Sequence, residues 1–274
     1  AFSSHLSGQE MADLRRWILG SEGRRGSRAR GLRRRAGELA FGDEAAEAAI
    51  EAAERAARAL PGDAWRQRVT EARGTGPAEG FLALVRQQVE ARAPYPDSPY
   101  SLETETVEPV PGLMEAAAAL HTALGALSTP LTGLARALFA RLEDEAEDID
   151  TPTRLRIEAV CRGLQRRGEV QLGAWRAMLE ALGAETPEDF VDWFEVERAG
   201  GREVDVGMYR HWVDPTIPFA EAVAVKAQGL LVTSATLTDG TGDAEADWAT
   251  AEARTGAVHL PAPAIRAAVP SPFD

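Results

Sequence analysis

The sequence predicts a mainly α-helical protein with a smaller α/β part toward its C-terminus, and three observations carry that expectation. Between Pro111 and Gly183 apolar residues recur at intervals of three and four, the period of an amphipathic helix. Near Pro187 the period changes: aromatic and β-branched residues dominate 190–197 and 203–212, on either side of Ala199-Gly200-Gly201, which is a hairpin signal. Residues 229–237, Gly-Leu-Leu-Val-Thr-Ser-Ala-Thr-Leu, form an apolar run that ends in small hydroxyl residues before the break at Asp239-Gly240. That pattern predicts a strand buried on both faces.

Bulk properties set the outer limits. The chain of 274 residues is long enough for one large or two ordinary domains. A single cysteine, Cys161, excludes a disulfide framework and any all-cysteine metal site. There is no signal peptide and no run long enough to cross a bilayer, so a monomeric cytoplasmic chain with no membrane partner is expected. The net charge of −13 argues against a surface that is basic throughout, because phosphate contacts need Lys and Arg to displace counterions. The charge is segregated, however: residues 15–35 hold nine arginines against one acid, Glu22.

In chain order, Met11, Leu14, Trp17 and Ile18 at helical spacing predict a helix over residues 7–19. The Gly- and Arg-rich stretch 20–35 predicts a loop running into a short helix, with Arg24, Arg25, Arg33, Arg34 and Arg35 as candidates for contact with a nucleic-acid backbone. No aromatic residue is interleaved among them, so the contact would be non-specific; a merely solvated loop is the alternative. Residues 43–60 predict a strong helix with acids in its first turn and Pro61-Gly62 at its end. Asp43-Glu44-Ala45-Ala46 imitates a magnesium-binding box, but it opens a helix and has no preceding strand, so a catalytic role is rejected. Helices over 64–72 and 79–92 follow.

Three prolines in Pro94-Tyr95-Pro96-Asp97-Ser98-Pro99-Tyr100 mark a linker whose tyrosines are expected to pack on neighbouring helices rather than stack on a base. Residues 101–110 are expected to be extended. Three helical pieces, 113–127, 132–149 and 153–182, carry stripes: Leu113, Ala116, Ala117, Leu120 and Leu124 on the first, and Leu131, Leu134, Ala135, Leu138 and Leu142 on the second. Antiparallel bundling buries such stripes. Asp150-Thr151-Pro152 supplies a cap with proline at the helix start. The acidic run 143–150 has no glycine turn and is expected to be a solvated face rather than a calcium loop. His121 and Cys161 lack partners at ligand spacing, and the pair His211/Asp214 has no nucleophile beside it. Helices over 217–228 and 243–255, the latter closed by Gly256, complete the chain.

Ser234-Ala235-Thr236 after an apolar run, the Trp248 helix and Ser271-Pro272-Phe273-Asp274 together resemble the DinG group of superfamily 2 DNA helicases, which is similar to XPD. The resemblance implies that residues 188–274 hold a β-hairpin and the Ser-Ala-Thr part of a first RecA-like (P-loop NTPase) motor domain, with Ser234, Ala235 and Thr236 as the motor coupling motif. By position, residues 43–187 would be the helical Arch-like insertion of that family, and 1–42 the helix and basic loop after its magnesium-binding box. ATP and Mg2+ would then be cofactors of the parent protein, with single-stranded DNA as partner. The chain contains no Gly-x-Gly-Lys-Thr loop and no Asp-Glu-x-His box, and it does not begin with Met. It is therefore expected to be an internal, incomplete piece that binds no nucleotide and no iron–sulfur cluster by itself and is inactive in isolation. The rival expectation is a non-catalytic acidic helical module that binds a basic protein partner.

Overall fold

The computed structural model describes residues 3–20 and 31–269. It is mainly helical, with one four-stranded antiparallel sheet, as composition and periodicity predict. The described residues form two compact units, one within residues 4–210 and the other within residues 211–269 together with Ser3. The division falls at Arg210–His211, inside a strand, and the hairpin packs on the helices that precede it.

The larger unit begins with β1 (Ser3–Ser7) and α1 (Gly8–Leu19), where the Ser7 hydroxyl caps the helix by accepting from the Glu10 N–H. Met11, Leu14 and Ile18 turn inward, as the spacing requires. After α2 (Leu32–Ala36), α3 (Glu44–Ala56) starts at Asp43, whose carboxylate accepts from the Ala45 and Ala46 N–H groups. The imitation of a metal box is thus a helix cap. Next come α4 (Trp65–Thr70), α5 (Gly76–Arg92) and the short strand β2 (Leu102–Glu105). Tyr95 and Tyr100, in the proline-rich passage, are 76% and 78% exposed and do not pack on helices, contrary to expectation. The prolines deny that stretch the regular backbone that would carry both rings toward one surface.

The centre of the unit is α6 (Leu113–Asp144), thirty-two residues without a break, where two helices had been expected on either side of Pro130. The helix continues because its stripe does. Leu120, Leu124, Leu127, Leu131 and Leu134 keep alternating steps of four and three through the proline, and all are fully buried. A proline deprives one carbonyl of its donor and costs about 3 kcal/mol in a helix interior. Burial of those leucines, each worth about 1.5–3 kcal/mol, outweighs that cost. By length and composition α6 could cross a membrane, which the sequence reading did not foresee, but its apolar stripe is packed against α3 and α5 and against α7 (Thr151–Gln165) and α8 (Leu172–Ala181). Asp150 caps α7 as predicted, accepting from the Thr153 N–H at 2.7 Å. Between α7 and α8 lies a π-helical turn, Arg166–Gln171, which keeps the two in one continuous path.

The hairpin is β3 (Phe190–Ala199) and β4 (Arg202–Trp212), joined by Gly200-Gly201 with φ of 58° and 76°. Two successive positive φ angles are what a tight two-residue hairpin turn needs, and glycine adopts them without a Cβ clash. Sheet order is β1-β4-β3-β2, with Leu102 opposite Val196 and Thr104 opposite Phe194. Phe194 meets Phe81 of α5 edge-on at 6.5 Å, and Arg86 of α5 grips Glu203 of β4 at 2.9 and 3.0 Å. These contacts tie the sheet to the helical body.

The smaller unit holds α9 (Thr216–Ala222), a 3-10 turn at Ala224–Lys226, α10 (Ala244–Thr255) and a second 3-10 turn at Ala257–His259. Asp243 caps α10, and Gly256, with φ of 77°, closes it. The helix expected over 217–228 is shorter, ending its α-helical part at Ala222. Asp247 accepts from Thr241 through N–H and hydroxyl, and Arg266 forks onto Glu252 at 2.7 and 3.0 Å, so the flanking loops are fastened to α10 by polar contacts.

Candidate functional site

Residues 229–234 have no regular structure and residues 235–238 form a turn and bend, so the predicted inner strand is absent. Leu231 is 87% exposed, and Leu230 and Val232 are exposed as well. A strand is stabilised by its neighbours, through ladder hydrogen bonds and burial on both faces. Among the described residues no strand stands beside this run, and the single sheet is the antiparallel one of the other unit. The apolar composition states what the segment is suited to, not whether a partner is there. Ser234 and Thr236 do come together: the hydroxyls lie 3.2 Å apart and the Thr236 N–H donates to the Ser234 oxygen at 3.1 Å, a local hydroxyl turn exposed to solvent along with Ala235. Ser271-Pro272-Phe273-Asp274 lies outside the described residues.

The basic segment divides in the same way. Arg24 and Arg25 lie outside the described residues. Arg33 is not a free cation: its guanidinium forks onto Glu54 at 2.8 and 3.2 Å, with Glu51 at 3.9 Å, and the Glu54 hydrogen bond raises its pKa further. To contact phosphate it would have to surrender that pair. Arg34 is exposed, without an ion-pair partner among the described residues. Arg35 stands over Trp17 of α1, 5.7 Å from the ring centroid. The structure brings a residue to that place that sequence reading passed over, Arg167 of the π-helical turn, whose guanidinium is 4.2 Å from the same ring. The consecutive arginines Arg166-Arg167 were the available signal, but they stand far from the arginine-rich segment in sequence.

Other constellations are structural. Asp214 accepts from the Thr216 hydroxyl at 2.6 Å and backbone N–H at 2.9 Å, contacts that hold its carboxyl below the usual range, with His259 adding to the effect. The His259 Nε2 is 2.9 Å from the same hydroxyl, so the group locks the start of α9 to the turn after α10. His121 contacts Glu180 at 2.7 Å, and the acidic run after α6 is largely exposed. Cys161 is fully buried, and desolvation pushes its thiol up to about 11. No group of three or more His, Cys, Asp or Glu residues among the described ones could hold a metal ion. A shallow surface depression lies beside Trp65, Arg86, Glu203 and Asp205, where Arg86 pairs with Glu203 and Asp205 accepts from the Gln9 N–H. No family model, curated protein or solved structure matches the chain.

Proposed function

We propose that this chain is part of a DinG-type (XPD-like) ATP-dependent DNA helicase, contributing an Arch-like helical body and the Ser-Ala-Thr coupling segment of a RecA-like motor domain. The observation that carries the reading is the exposed run Leu230-Leu231-Val232 leading into Ser234 and Thr236. Leu231, 87% exposed, forgoes most of the about 1.5–3 kcal/mol that burial of such a side chain returns, and the half-exposed Leu230 and Val232 forgo part of it. A strand-forming sequence held out of a sheet is suited to pairing with strands supplied from elsewhere. In this reading Ser234 and Thr236 relay the nucleotide state, Mg2+ and ATP are held by other segments of the parent protein, and Arg24, Arg25, Arg34 and Arg35 contact single-stranded DNA through its phosphates while Arg33 stays on Glu54.

The test has two parts. The coding sequence on either side of this segment should contain a phosphate-binding Gly-x-Gly-Lys-Thr loop and an Asp-Glu-x-His box. The complete polypeptide should then hydrolyse ATP in the presence of single-stranded DNA and lose that activity in Ser234→Ala, whereas residues 1–274 alone hydrolyse none. Turnover by the 274-residue chain, or flanking sequence without those motifs, defeats the proposal. The same exposed run also suits the second reading, a non-catalytic interaction module whose apolar segment and acidic surface meet a basic protein; absence of the ATP-site motifs upstream would select it.

A further inference from the structure

The four-stranded sheet turns one face to the helices and gathers acids and aromatic rings on the other. Alternate residues of a strand point to opposite faces, and residues directly opposite across an antiparallel pair share one. Leu102, Val196 and Phe194 therefore lie together on the inner face, against α5. Glu103 opposite Glu195, and Glu105 opposite Trp193, lie on the outer one, with Glu197 two residues along β3. On β4, Val206 and Met208 are buried with the inner set, which places Asp205 and Tyr209 outside. Trp193 stacks on Tyr209 at 5.6 Å, and the His5 ring of β1 lies 4.9 Å from Tyr209, so all four strands contribute to the outer face.

Two independent features of that face point to a cationic ligand. The first is charge. Glu103, Glu105 and Glu197 are exposed, and none of these acids, nor Glu195 or Asp205, has a cationic partner among the described residues. Glu195 accepts from the Trp193 Nε1 at 3.1 Å and Asp205 from the Gln9 N–H at 3.0 Å, neutral donors that leave both charges in place. Like charges directly opposite one another weaken a sheet, so the facing pair Glu103 and Glu195 carries a cost that a bound cation removes. The second feature is Tyr209, only 7% exposed, whose hydroxyl makes no hydrogen bond to any described residue. A shielded hydroxyl is ordinarily paired. Burial, and then the charges of Asp205, Glu195, Glu197 and Glu10, push its phenol up, so it stands toward these carboxylates as a neutral group whose oxygen is free to accept. No three of the acids converge closely enough to hold a metal ion. Neighbouring strands are about 4.8 Å apart, so the acids of β2, β3 and β4 span about 10 Å, and a ligand that meets them carries several cations along its length.

We propose that the outer sheet face, Tyr209 with Glu103, Glu105, Glu195, Glu197 and Asp205, is a docking site for an extended, arginine- and lysine-bearing segment of a protein partner. Guanidinium and ammonium N–H groups donate to the carboxylates and to the Tyr209 oxygen, while the side-chain stems lie along the Trp193 and Tyr209 stack. The net charge of −13 favours approach of such a segment from solution. The site lies wholly within the larger unit, apart from the exposed run 230–232, and it needs neither ATP nor DNA, so it stands whether or not the motor reading does.

The experiment titrates a fluorescein-labelled peptide of about eight residues, alternating arginine and glycine, with the full chain at several salt concentrations, following anisotropy. The wild-type chain should bind the peptide, more weakly as salt screens the carboxylates. Glu195→Gln/Glu197→Gln should weaken binding at least about threefold, the loss of two half-exposed charge contacts. Tyr209→Phe, which deletes the hydroxyl and keeps the ring stack, should weaken it at least about fivefold, the loss of a hydrogen bond to a charged group. Glu143→Gln/Glu147→Gln, which removes as much charge from the exposed acidic run after α6, should change little. If the first double variant fails to fold by circular dichroism, Glu103→Gln/Glu105→Gln, at exposed positions, takes its place. An equal loss in Glu143→Gln/Glu147→Gln overturns the proposal, because net charge alone then attracts the peptide. So does unchanged binding in folded Tyr209→Phe, or a wild-type chain that ignores the peptide. Tighter binding of spermine than of the peptide assigns the face to free polyamines, and a dimer in sedimentation that Glu195→Gln/Glu197→Gln dissociates assigns it to a second copy; either result removes the partner segment.

Discussion

The ion pair between Asp192 of β3 and Arg210 of β4 allows a sharp test of how the hairpin is held. Its geometry is bidentate, with Arg210 Nε to Asp192 Oδ1 at 2.7 Å and Nη2 to Oδ2 at 2.6 Å, and the side chains are 1% and 10% exposed. Phe190 lies under the guanidinium at 4.9 Å, and the Thr186 hydroxyl gives Asp192 a further contact at 3.3 Å. Exposed pairs such as Arg33–Glu54 are worth about 0–1 kcal/mol. Here water is excluded, so removing one member leaves a charge with neither partner nor solvent. Asp192→Ala and Arg210→Met should each destabilise the protein by about 3–5 kcal/mol. That is a large fraction of the roughly 5–15 kcal/mol that holds a typical domain together. The double variant orphans nothing and should cost much less than the sum, leaving a coupling energy above about 2 kcal/mol. Urea unfolding followed by tryptophan fluorescence reads the change, since Trp193 stacks on Tyr209 at 5.6 Å within the same hairpin. Additive single variants, each costing less than about 1 kcal/mol, would show that solvent reaches the pair and that the packing argument fails.

Three further outcomes follow from the same coordinates. Desolvation pushes the Glu79 carboxyl up, but the Arg68 and Thr75 hydrogen bonds prevail and hold it below the ordinary 4.5, so its stabilising share is present above that value and is lost as pH falls through the lower folded value; Glu79→Gln should flatten the acid limb of stability measured by urea midpoints. Leu231→Ser should change stability by less than about 0.5 kcal/mol, whereas Leu124→Ala on α6 should cost about 2–5 kcal/mol, a contrast readable by thermal denaturation. Cys161, with its thiol raised to about 11 and no exposed surface, should resist a thiol reagent at neutral pH and react at the rate of unfolding when urea is added.

Much of the fold follows from short-range pattern. Ser7, Asp43, Asp150 and Asp243 each cap the helix that the sequence places after them, because a cap is chemistry among residues two or three apart. The hairpin was legible for the same reason: Gly200-Gly201 and its flanks contain the whole signal. Pro130 misled because its local penalty is visible, while the leucine stripe that overrides it must be followed along the full length of α6.

The candidate site divides on range of interaction. The sequence by itself determined where helices start, where the period changes to that of a sheet, and that residues 229–237 have the composition of an inner strand. Only the tertiary structure decided that this run lies exposed, that Arg33 is neutralised by Glu54 across 21 residues, and that Arg167 joins Arg35 at Trp17. Helix periodicity and capping are settled within a few residues of chain. Strand burial and charge pairing depend on which distant groups arrive, and no local pattern encodes their arrival.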